Sequence, residues 1–128
     1  MQKTSLLIML ISVVMLSGCR QSIEEKAAQE AAEYTRKYCP TPVYNNTQTD
    51  SFTYDRATRT LVYHCKFIGP MDNDSIIQAN KDMLYNGLDR SIRESTSLKL
   101  YKDAGIRFKY VIRSEKNPTH VLFEATFE

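Results

Sequence analysis

The chain has 128 residues, 17 basic and 15 acidic, with 42% apolar residue types and no tryptophan. That length suits a single domain, and acids and bases are mixed along it without the concentrated basic face of a nucleic-acid binder. Its four glycines form no phosphate loop, Gly-x-Gly-x-x-Gly or Gly-x-Ser-x-Gly, which removes the commonest nucleotide-binding and serine-hydrolase signatures.

The N-terminal segment is a leader. Lys3 gives it a positive start, and Leu6 to Leu16 is an apolar run of 11 residues broken only by Ser12. A bilayer-spanning helix needs about 20 residues, so the run fits the core of a signal peptide instead. It ends in Leu16-Ser17-Gly18-Cys19, which resembles the lipobox of bacterial lipoprotein precursors. The resemblance implies cleavage between Gly18 and Cys19, with diacylglycerol, carrying palmitate-type chains, attached through the Cys19 sulfur before cleavage exposes its amino group. Residues 1–18 are then the signal peptide, 19–22 the lipidated cysteine and a short tether, and 23–128 one domain. Removing the leader takes away one basic residue and no acidic one, leaving 16 basic and 15 acidic residues.

The tether is short. Arg20 and Gln21 alone separate Cys19 from Ser22, and two or three extended residues reach about 10 Å. The domain is therefore expected against the membrane, unless the first helix acts as a stalk. Arg20 is not the aspartate that resembles an inner-membrane retention signal in enteric lipoproteins. The expectation is a cell-envelope protein, lipid-anchored to the outer membrane.

Ser22 with Glu25 forms a capping box, and Ile23, Ala27, Ala31, Tyr34 and Tyr38 recur at helical spacing. The sequence predicts a helix over 23–38, stopped by Cys39-Pro40-Thr41-Pro42. Val43-Tyr44 reads as a short extended piece before the polar stretch 45–50. Phe52 and Tyr54 alternate with polar residues, residues 55–59 read as a turn, and 60–68 as a strand with Leu61, Tyr63, Cys65 and Phe67 on one face. Asp72, Asn73, Asp74 and Ser75 offer caps for one second helix, running to about Glu94 with Ile76, Ile77, Met83, Leu84, Leu88 and Ile92 on its apolar face. Residues 97–104 suggest a helical turn closed by Gly105. Residues 106–113 and 121–128 alternate as a closing hairpin, expected to set Tyr110 against Phe123, Phe108 against Ala125 and Lys109 against Glu124.

The order α-β-β-α-β-β with one-sided strands predicts an α+β, two-layer sandwich: a mostly antiparallel four-stranded sheet with helices on one face. The proline stop after the first helix, Asp50-Ser51-Phe52-Thr53-Tyr54, and the closing hairpin from Gly105 resemble small Gram-negative envelope lipoproteins of unknown function. That resemblance implies no activity.

The chemistry is sparse. His64 falls on the strand face opposite Cys65, so the two cannot form a nucleophile–base pair, and His120 opens the last strand. Both read as surface histidines. Cys39, His64, Cys65 and His120 lack zinc-ligand spacing, and Asp72-x-Asp74 lacks the glycine and terminal glutamate of a calcium loop. No catalytic residue, metal site or cofactor is expected. Asn45-Asn46-Thr47 fits a glycosylation sequon only formally. With Cys19 lipidated, Cys39 and Cys65 remain as an even pair in an oxidising compartment. One lies at a helix end and the other on the helix-facing side of a strand. A Cys39–Cys65 disulfide is therefore expected, against the alternative of two reduced core thiols. The functional expectation is a non-enzymatic envelope lipoprotein acting by protein–protein contact near the membrane; the alternative is a small-ligand-binding periplasmic lipoprotein.

Overall fold

The computed structural model describes residues 22–128; the leader, Cys19 and the tether residues lie outside that range. Helix α1 (Ile23–Tyr38) starts where the Ser22 hydroxyl accepts the Glu25 N–H at 3.1 Å. Glutamates in its first turn and Arg36 and Lys37 in its last suit the helix dipole, and Pro40 follows its end. Four strands follow in two hairpins: β1 (Thr47–Asp55) with β2 (Thr60–Phe67), and β3 (Arg107–Ser114) with β4 (Val121–Phe127). Between the hairpins lie a 3₁₀ turn (Gly69–Met71) and helices α2 (Asp74–Ala79), α3 (Lys81–Glu94) and α4 (Lys99–Asp103). Gly105 follows α4 at φ +76°, the left-handed conformation expected of a glycine past a helix end.

The sheet order is β1-β2-β3-β4. Both hairpins are antiparallel, but β2 and β3 run parallel, so the sheet is mixed. The reason lies in the connection: three helices cross over one face and return the chain to the end of the sheet where β2 began. One face stays helix-covered, as alternation requires. Leu61, Cys65, Phe67, Phe108, Ile112, Phe123 and Phe127 are buried there, against Ala27 and Ala31 of α1, Ile77 of α2, Ile92 of α3 and Tyr101 of α4.

Three local expectations are corrected. The first strand begins at Thr47, inside the polar stretch, because an Asn45–Asn46 turn with both residues at positive φ reverses the chain between Tyr44 and Thr47. The second helix is two, broken at Asn80, which ends α2 and starts α3. Its cap is Asn73, whose side chain accepts the Ile76 N–H. The closing hairpin pairs Phe108 with Phe127 and Tyr110 with Ala125, two residues from the expected register. A two-residue slip keeps side chains on their faces, so Phe123, Ala125 and Phe127 stay on the core side as expected, but Val121, expected there too, is turned outward. The irregularity sits at Leu122, the extra residue opposite the Ile112–Arg113 step; Leu122 and Phe123 are consequently both buried.

Candidate functional site

Helix α1 packs on β1 while α2 and α3 pack on β4, so the central strands form a floor between them. Parallel pairing sets Tyr63 beside Tyr110, and antiparallel pairing sets Phe52 beside Tyr63. The three rings stack along one row, with centroids 4.3 Å and 4.5 Å apart. Tyr34 of α1 meets Phe52 edge-on at 6.0 Å, and Phe127 meets Tyr110 edge-on at 6.3 Å. A cleft of about 170 Å³ opens over this row, lined by Tyr63 and Tyr110 with Ser91, Ile92, Ser95, Ser97 and Leu98.

Burial pushes the Tyr63 hydroxyl up to about 12, with Tyr34 and Cys65 adding to the shift. Burial raises Tyr110 in the same way, and Tyr63 and Cys65 add to it. Both thiols are also raised, chiefly by burial: Cys39, with Asp50 adding, and Cys65, opposed by the Thr49 hydroxyl 3.6 Å from its sulfur. Protonated thiols are poor nucleophiles. The floor is thus a set of neutral, polarizable groups suited to an apolar or amphipathic surface. Cys39 and Cys65 are both free thiols in this structure, so the expected disulfide is not seen here.

The aromatic character continues outward. At and beyond the C-terminal end of α1, Tyr34 is 39% exposed, Tyr38 61%, Val43 54% and Tyr44 77%. Tyr34 and Tyr38 lie 5.2 Å apart. The periodicity of α1 placed both tyrosines on its apolar stripe, but nothing in the sequence separated those that bury from those that stay in water.

The other sequence candidates fall elsewhere. His64 is on the outer sheet face, 3.0 Å from the Thr53 hydroxyl; burial, then the charges of Arg113 and Lys109, lower its pKa. Val62, Val111 and Lys109 share the shallow, mixed-charge face around it. His120 lies just before β4, with Nε2 2.8 Å from Asp74 Oδ1. Asp72 accepts the Lys116 N–H at 3.0 Å. These acids tie α2 to the β3–β4 turn; neither caps α2. Among the described residues no group of three or more His, Cys, Asp or Glu side chains is gathered as a metal site.

A protein from Pseudomonas aeruginosa inferred to be secreted shares the fold at a TM-score of 0.65 and 12% identity, over 85% of this chain and 96% of that one. So does a pilotin of the Vibrio vulnificus type 2 secretion system, EpsS, with a TM-score of 0.56 and 10% identity over 80% and 84%. At such identities the likeness is one of fold. No curated protein matches the sequence. Residues 22–123, nearly all of the αββαααββ unit, match one domain family, and the chain belongs to that family, the domain of unknown function DUF8479.

Proposed function

We propose that this protein is an envelope lipoprotein, held on the outer membrane through Cys19, whose domain works without catalysis by binding another envelope protein. The observation that carries this reading is the aromatic surface: Tyr38, Val43 and Tyr44 stand largely in solvent beside a stacked tyrosine floor. Exposed apolar clusters of this kind mark interaction sites, and tyrosine supplies contact area at low entropic cost. The pilotin sharing the fold gives the reading a precedent within the architecture. The small-ligand alternative has less support. The cleft over Tyr63 and Tyr110, at about 170 Å³, is smaller than the roughly 300–1,000 Å³ usual for such sites. The hollow of about 490 Å³ on the outer sheet face is shallow and lined by charged residues such as Asp55, Arg107, Lys109 and Arg113 rather than by an apolar wall.

Photo-crosslinking in intact cells tests the contact. A benzophenone side chain replacing Tyr38 or Tyr44 should trap one discrete protein adduct, whereas one at Thr126 on the outer sheet face should not. Equal adducts from all three positions, or none from Tyr38 and Tyr44, would sink the reading. Labelling with a palmitate analogue tests the anchor: the label should be lost in Cys19→Ala.

A further inference from the structure

The two ends of this sheet are not equivalent, and the chain enters at only one of them. β1 and β4 run towards that end and β2 and β3 start from it, so it carries the β1–β2 turn, Arg107 and the C-terminus. Helix α1 begins there too. Glu24 in its first turn accepts a hydrogen bond from Tyr54 at 3.3 Å and pairs with Arg59 at 3.0 Å. Further along the helix, Thr35 reaches Phe52, and beyond the helix end Thr41 reaches Thr49, so α1 climbs away from this end. Arg59 also donates to the Ala104 carbonyl at 3.2 Å. One guanidinium therefore knits the start of α1, the β1–β2 turn and the end of α4 into a single rigid surface.

We propose that this end is the membrane-facing pole of the domain, seated on phospholipid headgroups, with the opposite end pointing away. The proposal rests on the lipid anchor at Cys19. From Cys19 to Ser22 the chain reaches about 10 Å when fully extended. Strands of eight residues carry the far turns about 26 Å from the near ones. The anchor therefore cannot reach from the far pole to the bilayer. The near pole also has the right side chains. Arg56, exposed in the β1–β2 turn, has no ion-pair partner among the described residues, and so is free to meet a lipid phosphate. Leu100, one turn before the end of α4 that Arg59 holds, is 50% exposed, an apolar group able to sit at the headgroup boundary. The far pole instead presents the Asn45–Asn46 turn, the Asp72, Asp74, Lys116 and His120 groups already paired with one another, and the exposed Tyr38, Val43 and Tyr44 assigned above to a protein partner. In this orientation the climb of α1 carries Tyr38 and Tyr44 away from the bilayer, where a partner can approach them.

The chain contains no tryptophan, so a single introduced one reports its own depth. Full-length lipidated protein carrying Ala57→Trp (near pole), Thr126→Trp (outer sheet face) or Asn117→Trp (far pole) is reconstituted into vesicles of phosphatidylethanolamine and phosphatidylglycerol doped with nitroxide-labelled phosphatidylcholine. The proposal expects several-fold stronger quenching at position 57 than at 117, with 126 intermediate or unquenched. It also expects Arg56→Glu to weaken the quenching of Ala57→Trp. Quenching at 117 or 126 equal to that at 57 would overturn the orientation, and an Arg56→Glu protein quenched as before would remove Arg56 from the contact. Intact mass reads the anchor separately: protein from the membrane fraction without lipid on Cys19 would overturn the anchoring itself, whatever the quenching shows.

Discussion

The two flanks of the sheet are covered by helices that hold on in different ways. Helix α1 buries only Ala27 and Ala31 fully. Such small side chains let the helix lie close to the sheet but remove little apolar area from water. Its grip on β1 is partly polar: the Thr35 hydroxyl accepts the Phe52 N–H at 2.8 Å and donates to the Phe52 carbonyl at 2.7 Å. That bond also covers backbone groups on an edge strand that would otherwise be open to another chain. Helices α2 and α3 use bulk instead. Ile77 and Ile92 are buried, with Leu84 and Leu88 packed beside them. The comparison teaches that amphipathic periodicity does not fix the energetics of a helix. One flank rests on close approach and directional bonds, the other on volume.

The flanks should therefore fail in opposite directions. Ile77→Ala removes a side chain only 1% exposed, and such cavities cost about 2–5 kcal/mol. Ala31→Leu adds bulk where α1 touches the sheet, and overpacking costs about 1–3 kcal/mol. Urea denaturation of both variants checks the contrast. If Ala31→Leu is tolerated without loss, α1 does not lie as close as described.

The next effect bears on the weaker flank. A bond between Cys39 and Cys65 would staple the end of α1 to β2 across a loop of 26 residues. Loop-closure entropy makes that worth about 3–3.5 kcal/mol. Thr49 lies between the two: its hydroxyl is 3.6 Å from the Cys65 sulfur, and its backbone is hydrogen-bonded to Thr41, two residues past Cys39, so the thiols share a neighbourhood. The expected outcome for protein isolated from the envelope is a mass lower by two hydrogens and a urea midpoint that falls on reduction. Two alkylatable thiols in that protein would leave the pair as reduced core residues.

Much of this was legible in the sequence, because the faces follow from parity and the first helix from local signals. The Ser22 cap, the Ala/Tyr spacing and Pro40 delimit α1 to the residue. The features that escaped are those local pattern does not encode. The parallel β2–β3 pairing depends on how far three helices carry the chain. The hairpin slip depends on Leu122 being inserted as an extra residue, and a shift of two leaves the alternation unchanged. The break at Asn80 has no proline or glycine to announce it. The aromatic floor follows from the same non-local pairing: Tyr63 and Tyr110 are 47 positions apart and meet only because β2 and β3 are parallel neighbours. Sequence reading accordingly placed each tyrosine on the core side but could not assemble the row.

A smaller effect isolates the polar grip of α1. Thr35→Val keeps the shape and deletes the hydroxyl, leaving the Phe52 N–H without its partner. An orphaned donor costs about 1–3 kcal/mol, and the low end applies because the site is only half-buried. Thr35→Ser should recover most of the loss. If valine and serine variants share one urea midpoint, the hydroxyl contributes nothing and α1 is held by packing alone.

The smallest effect concerns a place where the bulk-packed flank also relies on directional bonds. The Asp72 carboxylate is held below the ordinary carboxylate range, first by the Ser114 hydroxyl, then by the Lys116 N–H and charge. Ser114 and Lys116 lie at the end of β3 and in the turn that follows it, so the carboxylate pins the approach to α2 onto that turn. Asp74 and His120 form a second link alongside it. For a carboxyl depressed in the folded state, the stabilisation is fully present above the unfolded pKa of about 3.9 and is lost as pH falls through the folded value. Asp72→Asn should therefore lower the urea midpoint slightly at neutral pH, and the gap to the unaltered protein should close as pH drops below about 4. Other carboxylates titrate in the same range, but they are common to both proteins and drop out of the difference. Because the site is exposed and salt weakens such contacts, the gap should also narrow at high ionic strength. A gap that stays constant from neutral to acid pH would show that the asparagine costs stability through its shape, and that the charge on Asp72 holds nothing together.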